Sequence, residues 1–279
     1  MERFRLLSVL GLGFFLIGST FVFSLQAQGH IEFGFHYGTW NINLLKGMIE
    51  EGLSEALESD LKDEFLADIQ EDYPTFREKY YDQSVSFDSG GHSFGLELRW
   101  YPGGENGSFS LGLGIEKTKM EVRIPTVSAR LDVEDELTSE VGRFEGQASG
   151  RFLTEPFSFH LTFRWDILPS SVVHPYLTFG VGMAGGTAIE EAQVDYSYQG
   201  TLQVPGEPDE TYSGAESESL KDIKDEMEQE GDEFFLPGFF PFVQLNLGLK
   251  AKIMPNIHAL VDVGVFNGFL LKGGLAIRL

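Results

Sequence analysis

The chain has 279 residues and a formal net charge of −23, from 43 Asp and Glu against 20 Lys and Arg. That balance argues against nucleic acid or an anionic lipid surface as partner, because both need clustered positive charge. The absence of cysteine excludes disulfide scaffolds, thiolate metal sites and cysteine nucleophiles, while hydrophobic residues at 42% are too abundant for a disordered chain.

Residues 1–27 have the make-up of a secretory leader. Arg3 and Arg5 form a basic head, an apolar run follows from Leu6 to Leu25, and Ala27 supplies a small residue at the exit. A transmembrane anchor is the rival reading, since the run approaches the roughly 20 residues a spanning helix needs. Polar Gln26, Gln28 and His30 follow at once, which favours a cleaved leader and a mature domain over 28–279.

Past the leader, apolar residues fall at every second position. The first strand carries Ile31, Phe33, Phe35 and Tyr37. A long connection near 42–89 follows, and within it Leu45, Ile49, Leu53, Leu57, Leu61, Phe65 and Ile69 recur at i+4, which predicts an amphipathic helix stopped by Pro74. The second strand carries Phe94, Leu96, Leu98 and Trp100, and the third Phe109, Leu111, Leu113 and Ile115. After a connection near 125–150 the fourth carries Phe157, Phe159, Leu161, Phe163 and Trp165, and the fifth Leu177, Phe179, Val181 and Met183. A connection near 199–237, with a weaker helix at 217–230, precedes three closely spaced strands. These carry Val243 to Ile253, Ile257 to Val265 and Phe269 to Leu279. Eight strands are expected, each with one apolar and one polar face.

The character of the two faces decides the class. The apolar set contains no charge, and the opposite set is mostly Gly, Ala, Ser and Thr with a few ions. A soluble barrel would show long charged side chains on its wet face, whereas small residues and a few ions fit a narrow lumen. A charge facing lipid at mid-bilayer costs about 2–4 kcal/mol, so an uncharged apolar face is what a membrane barrel requires. Short Pro- and Gly-rich turns near 101–108, 167–175 and 254–256 alternate with the long connections. This predicts an all-β, eight-stranded antiparallel transmembrane up-and-down β-barrel with long, partly helical extracellular loops and both termini on the periplasmic side. Trp100, Trp165 and Tyr176 beside the turns, and Trp40 at the far end of the first strand, are expected to form an aromatic girdle.

This pattern resembles the small outer-membrane barrels of the OmpA, OmpX and OmpW type, over nearly the whole mature chain. The resemblance implies outer-membrane lipid and lipopolysaccharide as neighbours, no cofactor, and delivery by the barrel-assembly machinery. The family usually ends in an aromatic residue read by that machinery, whereas this chain ends in Leu279.

The three long connections carry net charges of −9, −4 and −10, so the acidity lies entirely at their end of the barrel. Carboxylate pairs there, such as Glu50/Glu51 and Glu71/Asp72, could hold divalent cations bridging to lipopolysaccharide, although no EF-hand spacing occurs and a solvated acidic surface is the simpler reading. The predicted lumen set is Glu97, Arg99, Glu116, His160, Arg164, Lys250, Asp262, Lys272 and Arg278. Both signs occur, as buried charge demands. Parity requires an odd turn between the last two strands, Phe266-Asn267-Gly268, with Gly268 at positive φ; that register sets Asp262 opposite Lys272 and predicts an ion pair.

Three functions follow as alternatives. The first is a non-enzymatic, monomeric barrel with a plugged polar lumen, serving envelope integrity or surface interaction. The second is an OmpW-like conduit for small hydrophobic molecules, which needs an apolar cavity beneath the first helix. The third is a lipid A-modifying hydrolase around His92, with Asp88, Ser89 and Ser93 nearby.

Overall fold

The computed structural model describes residues 29–230, 237–266 and 268–279. The expected leader over 1–27 and Asn267 of the last hairpin lie outside the described residues.

All strands belong to one antiparallel sheet: β1 (His30–Asn41), β2 (Phe76–Tyr101), β3 (Phe109–Asp135), β4 (Val141–Thr154), β5 (Phe157–Asp166), β6 (Val173–Gly185), β7 (Gln193–Gln203), β8 (Glu210–Ser219), β9 (Phe239–Met254), β10 (Ile257–Val265) and β11 (Phe269–Arg278). The eight periodic segments make a ring in the order β1, β2, β3, β5, β6, β9, β10, β11. The ring closes between its first and last members, with Glu32 opposite Arg278 and Asn41 opposite Phe269. No helix of the described residues is long and apolar enough to cross a membrane.

The expected count of eight strands is corrected to eleven among the described residues. The segment read as a loop over 125–150 is largely strand, that over 199–237 holds the end of β7 and all of β8 before its helix, and β2 begins at Phe76, well inside the 42–89 connection. The reason lies in a change of neighbour along β3. Its residues up to Lys117 pair with β5, whereas those from Met120 onward pair with β4. β4 pairs with β7 and β7 with β8. On the β2–β3 flank the wall therefore continues past the ring as a five-stranded extension, while β1, β10 and β11 stop at the rim.

The amphipathic segment is helical, as α1 (Lys46–Ala56) and α2 (Asp63–Asp72) joined by a π-helical stretch at Leu57–Lys62. An i+4 stripe drifts around an ordinary α-helix, because four residues overshoot the 3.6-residue turn. The wider π turn between the two halves offsets part of that drift. The stripe's end is the part that packs: Ile69 is buried with Phe76, Leu131 and Val133, flanked by Phe65, Phe144 and Leu202. Leu45 at its start is exposed, and Ile49, Leu53 and Leu57 are half-buried. A further helix, α3 (Leu220–Glu230), runs directly on from β8.

Candidate functional site

Within the ring the alternation sorts residues as their chemistry demands. Phe33, Phe35, Leu96, Leu113, Phe159, Leu247, Val261 and Leu275 all face outward and stay exposed, Phe159 at 61%. Arg99, Glu116, Lys250 and Lys272 face inward, with Lys250 at 0% exposure. Inward glycines make room for the long side chains that lie across the lumen. A Cβ on Gly114 would collide with the His160 imidazole, and one on Gly248 with the Tyr176 ring.

The lumen holds three polar groups, the first two bridged by Arg164. Nearest the termini, Lys250 Nζ donates to Glu32 Oε2 at 2.6 Å and to the Tyr101 hydroxyl at 3.0 Å. Arg278 joins the same carboxylate at 3.3 Å, with its guanidinium carbon 4.5 Å from the Tyr101 ring centre. Beside this group Glu97 pairs with Arg99 and, at 3.3 Å, with Arg164, while Thr162 Oγ1 donates to Glu97 at 2.8 Å and accepts from Arg99 at 2.7 Å. Farther along, Glu116 Oε2 accepts from Lys272 at 2.7 Å and bonds His36 Nε2 at 2.8 Å. Each ion in these groups meets an opposite charge, the condition for tolerating it in a low dielectric. Beyond them the lumen turns apolar, where Trp40, Phe266 and Leu270 form a buried cluster flanked by Ile42, Met120, Val122 and Phe242. The cavity left among Glu32, His36, Glu97, Arg99, Arg164 and Asp262 is about 30 Å³, room for about one water molecule.

All nine residues expected in the lumen lie on the inward side, and three expectations about side chains need correction. Asp262 does stand opposite Lys272 in the β10–β11 ladder, and the turn is odd, with Val265 opposite Phe269 and Gly268 at φ 145°. The expected ion pair between the two is nevertheless not formed. Asp262 accepts instead from the Tyr176 hydroxyl at 2.8 Å and the Asn246 amide at 3.0 Å, while the longer Lys272 crosses the lumen to Glu116. Neighbouring Cα atoms fix a register, but a long side chain inside a narrow tube chooses among partners from every strand. Tyr176 and Trp40, expected in an aromatic girdle, are both buried inside. Parity already required this, since each sits one residue out of step with the outward set of its strand. Trp165 is exposed on the outside, and Trp100 lies half-buried on its outward parity position.

Glu32, whose parity also pointed inward, is buried in the lumen, whereas Tyr101, Tyr176 and Phe266 were missing from the predicted lumen set although all three occupy inward parity positions. The constellation around His92 does not come together. Asp88 pairs with Arg123, Ser89 Oγ donates to Asn43, and Ser93 is buried on the opposite face from His92, whose ring stacks at 5.9 Å on Tyr37.

Above the ring the two faces of the same strands exchange character. On β3 the outward residues change from Leu111, Leu113 and Ile115 to Lys117, Lys119, Glu121 and Arg123. The inward ones change from Ser110, Glu116 and Thr118 to Met120, Val122 and Ile124. A register shift between Ile124 and Val127 then flips the parity, so that Val127, Leu131 and Val133 continue the inward apolar face. β2 does the same, with Phe94, Leu96 and Leu98 outward below and Asp82, Ser84 and Asp88 outward above. The outward side of the extension is a lattice of cross-strand polar pairs: Arg151 with Glu121 at 2.8 Å and Asp195 at 3.2 Å, and Asp132 with Arg130 at 2.7 Å and Arg143 at 2.9 Å. Hydrogen bonds from Arg130 and Arg143 hold the Asp132 carboxyl below its usual range. A lattice of ion pairs suits a sheet face in water, and the uncharged apolar belt of the ring does not.

The chain is similar to small outer-membrane β-barrels. Among solved structures it aligns with Ail, the attachment invasion locus protein of Yersinia pestis, at 9% identity and TM-score 0.31, over 90% of this chain and 99% of that one. It aligns with the N-terminal β-barrel domain of Pseudomonas aeruginosa OprF at 8% identity and TM-score 0.29, over 91% and 98%. The translocator domain of the autotransporter NalP from Neisseria meningitidis aligns at 8% identity and TM-score 0.24, over 90% and 88%. No protein-family model and no curated protein matches the chain.

Proposed function

We infer that this chain is a non-enzymatic outer-membrane β-barrel. Its ring spans the bilayer, its lumen is plugged, and its extension and acidic helices serve envelope integrity or surface interaction outside. Residues 1–27 are removed on export, and both termini then lie on the periplasmic side, where the short turns are. The barrel works as a monomer, surrounded by outer-leaflet lipid and lipopolysaccharide, which divalent cations bridge to the acidic end. The barrel-assembly machinery receives it through β11.

One observation carries this reading: the exchange of polar and apolar faces along β2 and β3 at the level of Phe94 and Lys117. A soluble barrel has no cause to turn its greasy side outward for half a strand and inward for the rest. A chain leaving hydrocarbon for water does.

The small size of the cavity among the lumen ions, about 30 Å³, supports the plugged role over the conduit, and the hollow of about 910 Å³ at the ring is lined mainly by the outward apolar residues Phe33, Phe35, Leu96, Leu113 and Phe159. Ion pairs fill the lower lumen and the Trp40 cluster its upper end. Beneath the helix stripe the cavity lined by Phe65, Tyr81, Leu131 and Phe144 is about 10 Å³, whereas a ligand site needs about 300 Å³ or more. Single-channel recording in planar bilayers tests the reading. The intact protein is expected to insert without steady conductance, and stable open steps would overturn the plugged lumen.

A further inference from the structure

The extension has two long edges, and they are treated differently. On β2 the ladder is interrupted by register shifts at Glu78/Tyr80 and Ser86/Asp88. Helix α1 also lies against that edge, where Glu50 accepts from the Phe87 N–H at 2.8 Å and the Gln83 amide donates to the Ser54 carbonyl at 2.7 Å. Bulges and a covering element are the usual means of closing an edge to further pairing.

β8 forms the opposite edge. It pairs with β7 from Glu210 to Ser219 without a register shift, and among the described residues no strand lies on its other side. Its residues are all exposed or half-buried, and it contains no proline. Alternate backbone N–H and C=O groups of such an edge are left for a partner or for water.

The acids of this edge are one-sided. Alternation puts Glu210, Glu216 and Glu218 with Tyr212 on one face, and Thr211, Ser213 and Ser217 on the other. From Glu210 to Glu230 eight acids stand against two bases, of which Lys224 is tied to Glu228 at 3.5 Å. Desolvation and the neighbouring carboxylates Glu226, Glu216 and Asp222 hold the Glu218 carboxyl above its ordinary range. Glu210 and Glu216 accept from the Tyr212 and Tyr196 hydroxyls, which leave their charge in place, and among the described residues Glu210, Glu216 and Glu218 form no ion pair.

We propose that β8 is a docking edge for an extended polypeptide segment of another protein, carrying Lys or Arg at alternate positions and added to the sheet as a further strand. The proposal rests on the reading that this end of the barrel stands outside the lipid. Main-chain hydrogen bonds supply affinity in strand addition, and side chains at alternate positions supply selectivity. Alternate basic residues would all meet the Glu face. A second copy of this chain fits poorly: antiparallel pairing of β8 with itself about Gly214 sets Glu210 against Glu218, and like charges directly opposite are destabilising.

The test uses the full-length protein in detergent micelles, with a ten-residue peptide alternating Lys and Thr and its Glu–Thr counterpart. Hydrogen–deuterium exchange is followed over residues 210–219. The Lys–Thr peptide is expected to slow exchange there, the Glu–Thr peptide is not, and E216K/E218K is expected to weaken the effect roughly tenfold. Binding without slowed exchange in β8 would overturn strand addition, since the acids would then only be attracting cations. Equal protection by both peptides would overturn the charge selectivity. Slowed exchange on raising the protein concentration alone would make a second copy the occupant. The faster gel migration of the unheated protein reports the closed barrel separately. Its loss would count against the membrane reading, whereas its persistence without peptide protection would count against docking alone.

Discussion

The ring and the extension share β2 and β3, yet they solve opposite problems. In the ring, β2 and β3 turn Leu96, Leu98, Leu113 and Ile115 outward and hold Arg99 and Glu116 inside. A few residues later, the same two strands turn Asp88 and Arg123 outward and keep Phe87, Leu131 and Val133 within. Backbone geometry is indifferent to this change. The surrounding solvent decides which parity carries charge, so on the proposed membrane reading the level of the exchange marks where lipid gives way to water.

Removing an acid from the lumen should produce the largest effect. Glu32→Ala would leave Lys250 and Arg278 buried without their shared carboxylate, a loss of about 3–5 kcal/mol. Denaturant-induced unfolding in lipid vesicles measures it. If Glu32→Ala proves neutral, the ion network is not what fixes the lumen.

The next effect separates the two regions most directly. Leu113→Arg puts a charge in the outward belt of the ring and should cost about 2–4 kcal/mol in the same assay. Ser128→Arg, outward on the extension, should stay within about 0.5 kcal/mol. Equal costs at the two positions would erase the distinction between lipid-facing and water-facing wall.

The smallest of the three expected losses belongs to the extension alone. Asp132 accepts from Arg130 and Arg143, and Asp132→Asn should loosen this wall by about 1–3 kcal/mol. Proteolytic nicking within 125–150 would reveal it while the ring persists. Because the folded carboxyl lies below its ordinary value, its contribution is present above the ordinary aspartate range and lost as the pH falls through the folded value. Nicking of the unsubstituted protein should rise in strongly acidic solution and stay level near neutrality.

How much of this was legible in the sequence follows the same division. In the ring each strand keeps one parity from end to end, so Phe33 to Tyr37 or Val243 to Ile253 could be assigned a face on sight. The hairpin register at Val265 and Phe269 followed from parity alone. The extension was hidden, because its alternation (Val127, Ala129, Leu131, Val133) carries charges between the apolar residues and is shifted by the irregularity after Ile124. Read with the acids around it, that stretch passes for a loop. Side-chain partners were the least accessible: Tyr176 meeting Asp262, and Lys272 reaching Glu116, depend on which strands face each other across the tube.

On the proposed membrane reading, a wall that rises on the β2–β3 flank and stops at the rim along β10, β11 and β1 gives the molecule a front and a back within the membrane plane. Neighbours approaching from the low side meet bare lipid belt up to the water line. Those arriving from the tall side meet a palisade of paired charges above it. Crowding in the bilayer would therefore turn these barrels toward preferred headings, even where no two of them bind.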